Sequence, residues 1–205
     1  MRTCLIPIGC LAALALAGCT GGAFVPRGDV GAVVSTAPSR DISLSGVITQ
    51  KSADRIMDEL ESHAGPSVTI RLDSPGGDVS AALQIHNQLK RSGKLVVTRV
   101  EDEARCMSSC TLIFAAGDQR LAGSRSRFRF HAPLYVGWLP LPGPVVALIE
   151  AATRRGIANT YAEASPEFAH YLAEPGILAL DSRKGLALSG EELAKRGGNF
   201  VTGVP

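Results

Sequence analysis

Two stretches carry residues that could do chemistry together. Residues 106–117 read Cys-Met-Ser-Ser-Cys-Thr-Leu-Ile-Phe-Ala-Ala-Gly, so a serine pair, Ser108 and Ser109, opens an apolar, helix-like run. Residues 128–133 read Phe-Arg-Phe-His-Ala-Pro, so His131 closes a short alternating segment. A serine hydroxyl is a weak nucleophile until a base takes its proton, and an imidazole titrating near neutrality is a suitable base. The pair suits acyl transfer. Upstream lies a glycine turn, Leu72-Asp73-Ser74-Pro75-Gly76-Gly77. Where a strand passes into a helix, such a turn can aim backbone N–H groups at a developing oxyanion. Each stretch also has a plain structural role, since a serine pair can cap a helix and glycines can simply turn the chain.

These groups are useful only if the intervening elements place them. Val68, Ile70 and Leu72 alternate with polar residues, which predicts a half-buried strand over 67–72. Val79, Ala82, Leu83, Ile85 and Leu89 give one apolar face to a helix over 78–91. A strand over 94–100 follows, and a strand over 42–49 with a helix over 52–63, capped by Ser52, precedes. Strand, helix, strand at this spacing predicts βαβ crossovers, hence an α/β fold with a mostly parallel sheet flanked by helices. Residues 125–131 alternate again: Ser126, Phe128 and Phe130 face one way, Arg125, Arg127, Arg129 and His131 the other. The phenylalanines can then pack inward while His131 faces a cleft, and the arginines read as a solvated strand face. Residues 135–144, with Trp138, Leu139 and Leu141, read as a loop exposing apolar side chains, either a groove wall or a subunit contact. A helix over 145–164 is weakened by Gly156, and Ser165-Pro166 starts another. A short helix over 190–196 closes the pattern. His63 reads as solvent-facing at a helix end, His86 as packed or at a subunit interface, and His170 as packed or on the surface.

Taken in register, these stretches resemble the Clp protease proteolytic subunit family of the wider Clp/crotonase fold, over residues 42–203. Ser74-Pro75-Gly76-Gly77 matches the family's first motif. The family's nucleophile stands eight residues before an Ala-Gly pair, and counting back from Ala116-Gly117 gives Ser108. His131-Ala132-Pro133 matches its His-x-Pro. Leu188-Ser189-Gly190-Glu191-Glu192 looks like its last helix start, and eight residues before Ser189 stands Asp181, in the place of the third triad member. The resemblance implies Clp/crotonase-type βαβ repeats, a serine peptidase with Ser108, His131 and Asp181 as triad, and an oxyanion hole from the Gly77 and Ser109 N–H groups. It also implies a peptide or protein substrate, the possibility of a homo-oligomer, and no cofactor. The sequence departs from the family at Ala104, where a glycine is usual, and at Cys106 and Met107, where small residues are usual. After Pro133 the long helix and preceding strand that build the family's ring contacts are not evident.

The N-terminus reads as targeting. Residues 1–18 have Arg2, then an apolar run from Leu5 to Leu16 that is short for a membrane span. Leu16-Ala17-Gly18-Cys19 looks like a bacterial lipobox, which would cleave the signal and put lipid on Cys19. An ordinary signal peptide is the alternative. Residues 19–40 then read as a flexible tether and 41–205 as the folded domain, held at the cell envelope and facing the periplasm. Of five cysteines, Cys4 and Cys10 leave with the signal, and Cys106 and Cys110 remain in the domain. In an oxidising compartment the two could form a disulfide, eased if Cys106 precedes the helix; two reduced, buried thiols are the rival. No other Cys or His stands at zinc-ligand spacing, so no metal is expected.

A length of 205 residues suits one domain with a real core. With 21 basic and 19 acidic residues, the near-neutral chain has no general electrostatic grip on nucleic acid. Two other readings compete with the hydrolase: a non-catalytic Clp-fold binding or scaffold lipoprotein, and an acyl-thioester enzyme of the crotonase type.

Overall fold

The computed structural model describes residues 41–133, 140–174, 176–179 and 184–204. The signal segment, the tether with Cys19, Trp138 and Asp181 all lie outside the described residues.

The chain runs β1 (Ile42–Ser45), α1 (Gln50–Glu61), β2 (Ser67–Asp73), α2 (Val79–Arg91), β3 (Leu95–Val100), β4 (Arg105–Met107), α3 (Cys110–Phe114), β5 (Gln119–Ala122), β6 (Arg127–Phe130), α4 (Gly143–Ala164), α5 (Pro166–Ala173), β7 (Leu186–Ser189) and α6 (Gly190–Arg196). One sheet is four-stranded and parallel, in the order β1-β2-β3-β5. A second, three-stranded sheet has the order β4-β6-β7, with β4 and β6 parallel and β7 antiparallel to β6. The expected α/β, mostly parallel architecture is present. Splitting into two sheets, and the antiparallel β7, were not legible in the alternation.

Local chemistry explains the main boundaries. Thr49, not Ser52, caps α1: its side chain accepts from the Ser52 N–H while the Ser52 hydroxyl accepts from the Thr49 N–H. The helix therefore starts earlier than the apolar periodicity suggests. Asp78 caps α2 by accepting from the Ser80 and Ala81 N–H groups. Ser165 caps α5, with Pro166 at the first helical position. His63 is half-buried rather than solvent-facing, because its Nδ1 accepts the Gly65 N–H in a tight turn. The helix expected over 145–164 is present as α4, 22 residues long and continuous through Gly156, with Ile157 and Tyr161 buried in the core.

That core is strongly aromatic beneath the second sheet. Phe114 meets Phe128 edge-on at 5.1 Å, Phe130 meets Phe168 at 4.9 Å, and Phe168 stacks on Phe200 at 4.1 Å. Phe128 and Phe130 point inward from β6, as their alternation predicts. On the other face Arg125 pairs with Asp102 and Glu103 at the surface. Arg120 is buried; its guanidinium donates to the carbonyls of Gly117, Ala164, Asn199 and Phe200, tying the ends of α3 and α4 to the C-terminal segment.

Candidate active site

The site is assembled where the two sheets meet. β2 runs past its end into the Ser74-Pro75-Gly76-Gly77 turn. Ser74 is fully buried; its hydroxyl donates to the Gly46 carbonyl and accepts the Gly76 N–H, locking the turn. Its backbone bridges to β4, donating to the Arg105 carbonyl at 2.7 Å and accepting from the Met107 N–H at 3.0 Å. The glycine turn is thereby stitched to the strand that delivers the serines.

Both glycines are required. A Cβ on Gly76 would lie 2.6 Å from the Met107 carbonyl oxygen and 2.7 Å from the Ser108 Cβ, and one on Gly77 would lie 2.2 Å from the Ile48 carbonyl oxygen. Gly77 bridges in parallel to Ile48, which donates to the Gly76 carbonyl and accepts from the Asp78 N–H. In a parallel bridge those bonds flank the residue, so the Gly77 N–H itself faces the opposite side.

Ser108 sits between β4 and α3 with φ of 55°, in the left-handed region that a non-glycine residue seldom occupies. Strain of this kind, at a strand-to-helix turn, presents a nucleophile's side chain outward. Ser108 is half-buried and lines a cavity, whereas Ser109 is buried, with a hydroxyl that has no partner among the described residues. The Ser108 N–H donates to the Arg129 carbonyl at 2.8 Å, which ties the nucleophile turn to the strand ending at His131. Cys106 lies in β4 and Cys110 opens α3, and a disulfide joins them across Ser108, their Cα atoms 5.2 Å apart.

Ser108 and His131 line the same small cavity, with Val79, Ser109, Leu112, Pro133, Ile157 and Tyr161. His131 is half-buried, and its Nδ1 lies 2.6 Å from the Ala132 carbonyl oxygen. A carbonyl can only accept, so the hydrogen bond assigns the neutral ring's proton to Nδ1 and leaves the lone pair on Nε2. That is the tautomer a general base needs. Among the described residues, neither the Gly77 nor the Ser109 N–H donates to a backbone carbonyl outside the regular elements. A larger groove runs from Gly77 between α2 and α4, walled by Val79, Leu83, Pro133, Ile149 and Gly156.

Two side chains at the site escaped the sequence reading. Thr111 Oγ1 lies 2.6 Å from the Ser108 carbonyl oxygen and 2.6 Å from the Tyr161 hydroxyl. Tyr161 lies fifty residues beyond Thr111, and periodicity marks it only as one more apolar-face residue of α4. Among the described residues no group of three or more His, Cys, Asp or Glu side chains could hold a metal ion. No described helix is long and apolar enough to cross a membrane.

Comparison with known proteins bears on this geometry. The family model described as Clp protease matches residues 31–138. The ATP-dependent Clp protease proteolytic subunit 1 of Chlamydia caviae is 32% identical over 136 residues, covering 62% of this chain and 70% of that protein. The protein of the same description from Protochlamydia amoebophila is 30% identical, covering 62% of this chain and 65% of its own length. Among solved structures, ClpP1 from Listeria monocytogenes superposes with a TM-score of 0.66 at 22% identity, covering 82% of this chain and 91% of that one.

Proposed function

This chain belongs to the Clp protease family, and from that premise we propose that it is an envelope-anchored serine peptidase working through Ser108, His131 and Asp181. The observation that carries the reading is Ser108 at positive φ on a strand-to-helix turn, in one cavity with His131.

Ser108 Oγ attacks the carbonyl carbon of a peptide bond while His131 Nε2 takes its proton. The carbonyl π pair moves onto oxygen, and the Gly77 and Ser109 N–H groups hold that charge. The intermediate collapses, the C–N bond breaks, and His131 returns the proton to the departing amine. Water then repeats the sequence on the acyl-enzyme. Asp181 steadies the imidazolium from the Nδ1 side. The groove along α4 suits an extended peptide that leads apolar side chains past Gly77. Lipid on Cys19 holds the domain at the periplasmic face, where ATP is absent, so the ATP-dependence named for its relatives does not carry over.

The test is active-site labelling of the purified soluble domain with a fluorophosphonate. The wild type labels and Ser108→Ala does not, whereas Ser109→Ala still labels. Asp181→Asn slows labelling by at least about a hundredfold, since the imidazolium that forms on His131 loses its stabilising carboxylate. Failure of the wild type to label, or equal labelling of Ser108→Ala, favours a non-catalytic binding protein. A loss below about threefold for Asp181→Asn assigns the orienting role to the Ala132 carbonyl alone.

A further inference from the structure

We propose that Thr111 and Tyr161 are positioning residues that aim the Ser109 N–H at the oxyanion, an inference that rests on the reading of Ser108 as nucleophile.

The hydrogen-bond directions are settled by elementary bookkeeping. The Ser108 carbonyl can only accept, so Thr111 Oγ1 spends its single proton there. The Tyr161 hydroxyl, at 2.6 Å, must then be the donor to Thr111 Oγ1. The Thr111 N–H adds a second bond to the same carbonyl at 3.0 Å. Thr111 and Tyr161 are both buried, so water does not compete for these groups. Burial also pushes the Tyr161 phenol above its ordinary pKa, which keeps it a donor at working pH.

The consequence follows from peptide geometry. The Ser108 carbonyl and the Ser109 N–H belong to one planar, trans peptide group and point in opposite directions. Clamping the carbonyl from the core therefore fixes the line along which the N–H points outward. Hydrogen bonds in a chain polarise one another, so a doubly bonded carbonyl also makes its own N–H a stronger donor. The clamp offsets the strain of Ser108, which would otherwise let this peptide rotate toward an ordinary helical or extended conformation. Tyr161 is well suited to anchor it. Its ring meets Phe130 at 5.9 Å, Phe168 at 5.6 Å and Phe200 at 5.8 Å, all close to edge-on.

The experiment compares fluorophosphonate inactivation of the wild type, Thr111→Val, Tyr161→Phe, the double variant and Thr111→Ser. Thr111→Val and Tyr161→Phe each lower the maximal inactivation rate by about tenfold, less than outright loss of an oxyanion donor, with the half-saturating probe concentration within twofold. The double variant is no slower than the worse single, because both break the same chain. Thr111→Ser, which keeps the hydroxyl, recovers most of the rate. Tyr161→Phe keeps the ring packing, and thermal melts check that each variant is folded. A lower melting temperature with an unchanged inactivation rate marks a merely structural pair and overturns the inference, leaving Ser108 as nucleophile intact. Failure of the wild type itself to label at Ser108 overturns both.

Discussion

Gly76→Ala isolates the contact between the glycine turn and the nucleophile turn. Gly76 has φ of +93°, and an alanine Cβ there would stand 2.6 Å from the Met107 carbonyl oxygen and 2.7 Å from the Ser108 Cβ. Restoring ordinary contact at 3.4 Å requires the two turns to part by about 0.7–0.8 Å. Gly93 supplies the control: its φ is +68°, and nothing lies within 4 Å of the point an alanine Cβ would occupy. Both substitutions carry the cost of an alanine at positive φ, about 1–2 kcal/mol. Only Gly76→Ala adds the overpacking cost, about 1–3 kcal/mol. The larger effect is on rate, because a displacement approaching 1 Å at a reacting group can cost about a hundredfold. Gly76→Ala is expected to slow fluorophosphonate labelling by between about tenfold and a hundredfold, while Gly93→Ala stays within about twofold of wild type. Melting temperatures measured alongside separate stability from placement. If Gly76→Ala labels within threefold of Gly93→Ala while folded, the close approach does not govern the position of Ser108 and the reasoning fails.

Two further predictions concern the disulfide and a buried histidine. The Cys106–Cys110 link closes so short a loop that it stabilises the fold by only about 2 kcal/mol, yet it brackets Ser108; reduction, or the Cys106→Ser/Cys110→Ser pair, should slow labelling several-fold at a temperature where the domain is still folded, and an unchanged labelling rate would refute this. His86 is buried, donates from Nδ1 to the Leu112 carbonyl, and is held below its ordinary pKa by desolvation, with Lys90 opposing and Glu163 favouring its proton. Above the usual histidine range neither state binds that proton; as pH falls through about 6.5 the unfolded chain takes it up first, so stability is lost on acidification. Urea midpoints between pH 8 and pH 5 should fall more steeply for wild type than for His86→Gln, and equal slopes would count against a buried, neutral His86.

Linear pattern reached far into this fold because its signals are local. Val68, Ile70 and Leu72 alternate, α2 repeats its apolar face, and Gly76-Gly77 marks a turn by residue type alone, although the contacts that require those glycines come from Ile48, Met107 and Ser108. Resemblance to the Clp family's motif spacing chose Ser108 over Ser109 and singled out His131, and the folded chain puts Ser108 and His131 in one cavity. The α1 boundary is ambiguous for a local reason too: Thr49 and Ser52 form a reciprocal cap, and either hydroxyl alone suggests a boundary. Other features have no local signature. At Ser108, with its left-handed φ, the N–H donates to the Arg129 carbonyl of β6 and the carbonyl accepts from Thr111, whose hydroxyl meets Tyr161 of α4. β7 pairs with β6 across some sixty residues of chain, from Arg127↔Ser189 to Phe130↔Leu186. Tyr161 meets Thr111 only because α4 stays continuous through Gly156 and the phenylalanine cluster holds its ring. A periodicity reports which face of an element is buried; which buried hydroxyl meets which carbonyl is decided when distant elements pack, and a single chain's pattern contains no record of that pairing.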